Sequence, residues 1–118
     1  AEGVRVTVSA LLVADQLAPD DPQRETVLKY AKEFEAAYGA RPAAFGGFAY
    51  DALFISLEAT QRAGKLDRAA IRDEIEKTKG FVGIDGIFNM TPQDHMGLNY
   101  DIAFRLTEIR NNGWHLVK

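Results

Sequence analysis

The segment from Pro42 to Asp51 concentrates the residues of this chain best suited to hold another molecule. Gly46 and Gly47 leave the backbone open to close approach. Phe45, Phe48 and Tyr50 flank them with aromatic surface, and Asp51 adds a charge. Read as a short strand, Ala43 to Ala49, running into a helix, the pair of glycines falls at the turn where open α/β sheets bind ligands. Gly47, Phe48, Tyr50, Phe45 and Asp51 are therefore the candidate ligand-binding residues. The same pattern could also serve packing. Glycines permit close helix–strand contact, strand alternation turns some of the rings inward, and an Asp in the first helical turn is favoured by the macrodipole.

Other reactive groups are sparse. His95 and His115 are the chain's two histidines. They are far apart in sequence, whereas a metal site needs several converging ligands. Neither is near a Ser or Cys pattern that would make it the base of a hydrolytic triad. Asp15, Asp20 and Asp21 offer too few oxygens at loop spacing for calcium. Gly83-Ile84-Asp85-Gly86 lacks the Lys-Ser/Thr end of a phosphate loop. The sequence therefore predicts no catalytic residue, no metal and no cofactor, and a chain that is not an enzyme.

The elements that must position these residues follow from pattern. The chain has 118 residues, 47% hydrophobic and 26% charged, which suits one globular unit. A net charge of −3 with no basic stripe argues against a nucleic-acid partner. The absence of cysteine excludes disulfides and thiolate metal sites. No apolar run is long enough to span a bilayer. Ala1-Glu2-Gly3 shows neither an initiator Met nor a signal peptide, so a processed product or a piece of something longer is expected.

Val4 to Ala10 alternates as a half-buried strand. Leu11 to Ala14 is an apolar connector leading into a loop. Asp21 and Pro22 predict the cap and first position of a helix with a Val27, Ala31, Phe34, Tyr38 stripe, closed by Gly39. A second helix, Tyr50 to Ala63, is apolar nearly all round. It should be the most buried element, with Leu53 and Leu57 deeply covered. Asp67 caps a third helix, with Leu66 and Ile71 at staple spacing. Phe81 to Phe88 is β-rich with an Asp85-Gly86 turn. Ile102, Phe104 and Leu106 alternate into a hairpin turned at Asn111-Asn112-Gly113.

In this order the chain resembles the C-terminal part of the substrate-binding proteins of branched-chain amino acid type ABC transporters, which have the type I periplasmic-binding-protein fold. The resemblance rests on Leu11 to Leu17, Phe34-Glu35-Ala36-Ala37-Tyr38-Gly39 and Phe48-Ala49-Tyr50-Asp51-Ala52. It continues through Arg62-Ala63-Gly64, Ile75 to Phe81, Gly86-Ile87-Phe88 and Asn112-Gly113-Trp114. It covers almost the whole chain.

The resemblance implies an α/β fragment of a two-lobed fold: strand-helix-strand-helix-helix, then a β-rich C-terminal hairpin. Residues 1–15 would give a strand and connector to one lobe. Residues 16–101 would belong to the other, and 102–118 would return as a β-hairpin to the first. It further implies a solute-binding component of an ABC importer. That component would capture a small carboxylate-bearing ligand, an amino acid or an aromatic or apolar acid, between its lobes and deliver it to a membrane permease. The location implied is the periplasm, or the outer surface of a Gram-positive cell by a lipid anchor. A ligand-sensing regulatory module of the same fold is the alternative.

Two departures from the family pattern matter. Phe48 stands where the family often carries His, which tilts the ligand toward aromatic or apolar character. The N-terminal majority of a family member, with the Ser and Thr groups that usually hold the ligand carboxylate, has no counterpart. The chain should then need the remainder of the parent protein, or a second copy of itself, to bind ligand.

Overall fold

The computed structural model of the chain describes residues 1–117. Lys118, the last residue of the expected 102–118 segment, lies outside the described residues. β1 (Arg5–Ser9) leads into a 3-10 segment (Ala10–Gln16), then α1 (Arg24–Tyr38), α2 (Ala44–Ala63) and α3 (Arg68–Ile75). β2 (Phe81–Val82), β3 (Ile87–Phe88), α4 (Tyr100–Ala103), β4 (Phe104–Arg110) and β5 (Gly113–Leu116) complete it.

The first strand meets the C-terminal hairpin. β1, β4 and β5 form an antiparallel sheet in that order, with Thr7 opposite Leu106 and Glu108 opposite His115. Thr107 Oγ1 donates to the Val6 carbonyl at 2.8 Å, tying β4 to β1. The hairpin turn is set locally. Asn111 and Asn112 both have positive φ, 50° and 59°, and Arg110 pairs with Gly113, the geometry of a two-residue type I′ loop. The Gln16 side chain clips the outer strand, donating to the Trp114 carbonyl and accepting from the Leu116 N–H, each at 2.8 Å.

The apolar connector is the core of the molecule. Ala10, Leu11, Val13, Ala14 and Leu17 are buried together with Val8, Val27 and Ile84. α1 covers this cluster with one side. Its start lies slightly later than expected, because Asp21 and Gln23 form a turn of their own: the Asp21 carboxylate accepts from the Gln23 N–H at 2.9 Å. Gly39 (φ 68°) and Gly64 (φ 65°) end α1 and α2 in the left-handed conformation, as their positions predict. Asp67 caps α3 by accepting from the Ala70 N–H at 2.9 Å. The expected staple does not form a cover, since Leu66 is 92% exposed.

Three expectations are corrected. Ala43 to Ala49 is not a strand: α2 begins at Ala44 and takes in both glycines, so the strand-to-helix turn does not exist. α2 is not buried all round. Its covered stripe is Gly47, Asp51, Ile55 and Ala59, one residue per turn, while Leu53 and Leu57 are 55% and 47% exposed. The C-terminal hairpin starts at Phe104, because Asn99 caps a short helix through Ile102 and Ala103 by accepting from the Asp101 N–H.

Candidate functional site

Four-residue spacing decides where the candidate residues point. Gly47 and Asp51 lie on the inner stripe of α2, one turn apart. They meet the tip of the β2–β3 hairpin, Gly83-Ile84-Asp85-Gly86, which is closed by a Gly83 N–H to Gly86 carbonyl bond of 2.8 Å. A methyl group on Gly47 would run into the Asp85 carboxylate and come within 2.8 Å of Ile84 Cγ2. A Cβ on Gly83 would lie 2.5 Å from the Asp51 carboxylate. Each glycine is thus the space into which the opposite segment fits.

Asp51 is 1% exposed. Its two oxygens accept from the Ile84 N–H at 2.7 Å and the Asp85 N–H at 2.9 Å. Burial pushes its pKa up, and the two backbone donors oppose that shift. Asp51 was expected in the first helical turn; it sits two turns into α2 and acts as the clasp for a distant hairpin.

From the other side, the fully buried Gln23 donates to the Gly83 carbonyl at 3.1 Å and sits 3.4 Å from that of Ile84. Its own oxygen accepts from Arg105 of β4 at 3.3 Å, and Arg105 also pairs with Asp21 at 2.8 Å. Arg105 further donates to the Ile102 carbonyl. Asp85 completes the cluster, 2% exposed. Its pKa is pushed up to about 6, by burial first and by the Asp51 charge, with Ser9 acting in the opposite direction. Gln23, Asp85, Ser9 and Arg105 were not singled out from sequence. Asp85-Gly86 read as a turn, and nothing local to Gln23 or Arg105 signals a tertiary partner.

The aromatic candidates separate from this cluster. Tyr50 turns sideways to α1, edge-on to Tyr30 with ring centroids 4.9 Å apart, and it stacks at a tilt with Phe54 at 4.4 Å. Phe45 and Phe48, one turn apart on the outer side of α2, are exposed, Phe45 by 86%. They flank a helix start that no side chain caps, since Ala43 occupies the cap position. The five candidates therefore do not converge: two clasp the hairpin, one joins the helices, and two face outward at the α2 N-terminus.

The histidines serve local contacts. His95 Nε2 lies 3.1 Å from the Glu76 carboxylate, and His115 Nε2 lies 3.2 Å from the Arg110 carbonyl. Among the described residues no group of three or more His, Cys, Asp or Glu side chains is placed to hold a metal ion. No helix of the described residues is long and apolar enough to cross a membrane.

The comparisons agree with the resemblance. Residues 5–113 match the model of the periplasmic binding protein family. An extracellular ligand-binding receptor from Rhodopseudomonas palustris HaA2 superposes with a TM-score of 0.83 at 31% identity, covering 98% of this chain and 34% of the receptor. A leucine-binding protein from Thermotoga maritima gives 0.73 at 26%, over 99% of this chain and 30% of its own. A putative branched-chain amino acid ABC transporter from Rhodospirillum rubrum gives 0.71 at 26%, over 98% and 31%. A comparison with curated protein sequences finds no significant match. The chain spans about a third of the length of the solved structures it matches. Its mixed helices and strands are a portion of the type I periplasmic-binding-protein fold. The chain belongs to the periplasmic binding protein family.

Proposed function

We propose that this chain contributes to a solute-binding component of an ABC importer, which captures a small carboxylate-bearing ligand between two lobes and hands it to a membrane permease. The family match over residues 5–113 carries this reading. Relatives named for leucine binding and for branched-chain amino acid transport support it. The protein then works in the periplasm or on the outer cell surface. It performs no chemistry; binding free energy comes from closing the lobes on the ligand.

In the two-lobed arrangement, residues 1–15 and 102–118 belong to one lobe and 16–101 to the other. The shared sheet of β1, β4 and β5 supports that division. Within the candidate set, Phe45 and Phe48 are the residues we assign to the ligand, because they alone present broad apolar surface outward at an open helix start. Two such rings suit an aromatic or apolar acid. Gly47 and Asp51 support that edge from beneath, and Tyr50 fixes α2 against α1. The outward leucines of α2 need the remainder of a whole receptor, or a second copy of the chain, to cover them.

The test is calorimetric titration of the protein, as its gene encodes it, with leucine, phenylalanine and benzoate. Phe48→Ala should weaken the tightest of these by about 1–3 kcal/mol, the range for burying one ring, with no change in melting temperature. Unchanged affinity with a lowered melting temperature would make Phe48 a packing residue.

A further inference from the structure

Ser9 ends β1, and Asp85 sits at the tip of the β2–β3 hairpin, so the two residues belong to separate sheets. Ser9 Oγ and both Asp85 carboxylate oxygens are sealed from solvent without a hydrogen bond of normal geometry. Ser9 is still near enough to act on the Asp85 carboxyl. The Ser9 hydroxyl offsets only part of the hydration that a buried carboxylate in that position loses. A neutral carboxyl loses far less, and its proton can be donated to the serine hydroxyl.

The surroundings favour the neutral form. α2 presents Asp51, whose charge repels a second anion. α1 presents Tyr30, a phenol whose own pKa is raised by burial and then by the charges of Asp85 and Asp51. Tyr50 lies against Tyr30 and brings no positive charge. The Arg105 guanidinium of β4 is taken up by Asp21, Gln23 and the Ile102 carbonyl. Among the described residues, no positive charge acts on Asp85.

The geometry points to a proton-controlled latch: neutral Asp85 bridges to Ser9 and holds the hairpin tip between β1 and the first two turns of α2, and ionised Asp85 lets the tip go. The tip is the right place for such a device. The Ile84 and Asp85 N–H groups donate to Asp51 there, and the Gly83 carbonyl accepts from Gln23. Release of one residue therefore loosens a junction of four segments. Gly47 rests on the same tip, so the motion reaches the start of α2. The latch holds whether or not Phe45 and Phe48 touch a ligand.

Amide hydrogen exchange by NMR tests it on the protein as its gene encodes it. After correction for intrinsic rates, protection of the Ile84 and Asp85 amides should fall about tenfold or more between about pH 5 and about pH 7.5, while the β1–β4 amides stay constant. Asp85→Asn, neutral at every pH, should stay protected throughout. Ser9→Ala should lose protection at the acid end. A pH-independent wild type, or an Asn variant with the wild-type profile, overturns the latch. Should the Asn variant fail to fold, a carbon-13 titration of the Asp85 carboxyl in the unaltered protein decides the matter: a midpoint in the ordinary carboxylate range near about 4 overturns the proposal, and one well above it upholds it.

Discussion

The two sides of α2 are built on opposite principles. The inner stripe, Gly47, Asp51, Ile55 and Ala59, is narrow, and two of its four residues are a glycine and a carboxylate. The outer side carries the bulk: Phe45, Phe48, Leu53, Phe54 and Leu57 are all exposed. Apolar burial normally ranks residues by size and hydrophobicity, and here that ranking is reversed. The inner stripe is specified by fit and hydrogen bonding to a hairpin more than thirty residues away. The outer side is specified by hydrophobicity alone, which is what a helix looks like when much of its contact surface is supplied from outside these residues.

The inner stripe should break hardest. Asp51→Ala leaves the Ile84 and Asp85 N–H groups buried without acceptors. At about 1–3 kcal/mol for each unsatisfied group, the loss should be about 2–6 kcal/mol in denaturant unfolding. A change below about 1 kcal/mol would mean that water replaces the carboxylate and that the clasp is incidental. Gly47→Ala comes next. Its methyl collides with Asp85 and Ile84, so the hairpin tip must move away, at about 1–3 kcal/mol for an overpacked site. A neutral result would show that the tip already has slack, which would count against the close fit described above.

Titration separates the stripe from the surface in a different way. The Asp85 pKa is raised in the folded state to about 6, so the folded state binds this proton more tightly than the unfolded chain does. Its contribution is fully present below the unfolded value of about 4, and it is lost as pH rises through about 6, about 3 kcal/mol in all. Glu108, on the middle strand of the three-stranded sheet, has the opposite sign. Its pairs with Arg110 and Arg5 hold it down at about 2. Its contribution is present above the ordinary carboxylate range and is lost as pH falls toward about 2. Unfolding curves of Asp85→Asn and the parent should therefore diverge as pH rises above about 4 and reach their full separation above about 6. Parallel curves across that window would show an unshifted Asp85.

What could be read from the sequence was what the chain settles locally. Gly39 and Gly64 as helix ends, Asp67 as a cap and the Asn111-Asn112 turn depend on the φ preferences and side-chain reach of neighbouring residues. The family order was legible for the same reason, as a sequence of such local pieces. The start of α2 was not. Two adjacent glycines cost roughly 1 kcal/mol each in a helix interior, so local preference breaks the helix there. The fold overrides that preference because Asp85 and Ile84 occupy the space that a side chain at Gly47 would need. The inner role of Asp51 was hidden likewise: a carboxylate near a helix start reads as a dipole partner until its distant donors are known. Gln23 and Arg105 gave no sign at all, since a buried amide and a guanidinium 82 residues away in sequence meet only in the assembled molecule.

The smallest effect should come from the outer side, and its size depends on what surrounds it. The sequence predicts a deeply buried Leu53; the structure exposes it by 55%. In the 118-residue chain by itself, Leu53→Ala should then cost no more than about 1 kcal/mol, mostly from lost contact with neighbouring rings, because a half-exposed leucine gives up only part of the transfer free energy of a buried one. In a longer protein whose remaining segments cover α2, the same change should rise to the 2–5 kcal/mol typical of a buried leucine. Sedimentation of the isolated chain adds the third case. If two copies cover each other's outer helices, the mutation should weaken the dimer and leave a monomer of nearly unchanged unfolding free energy. A large cost in a strictly monomeric 118-residue chain would sink the contrast between the two sides, since it would show Leu53 already packed within these residues.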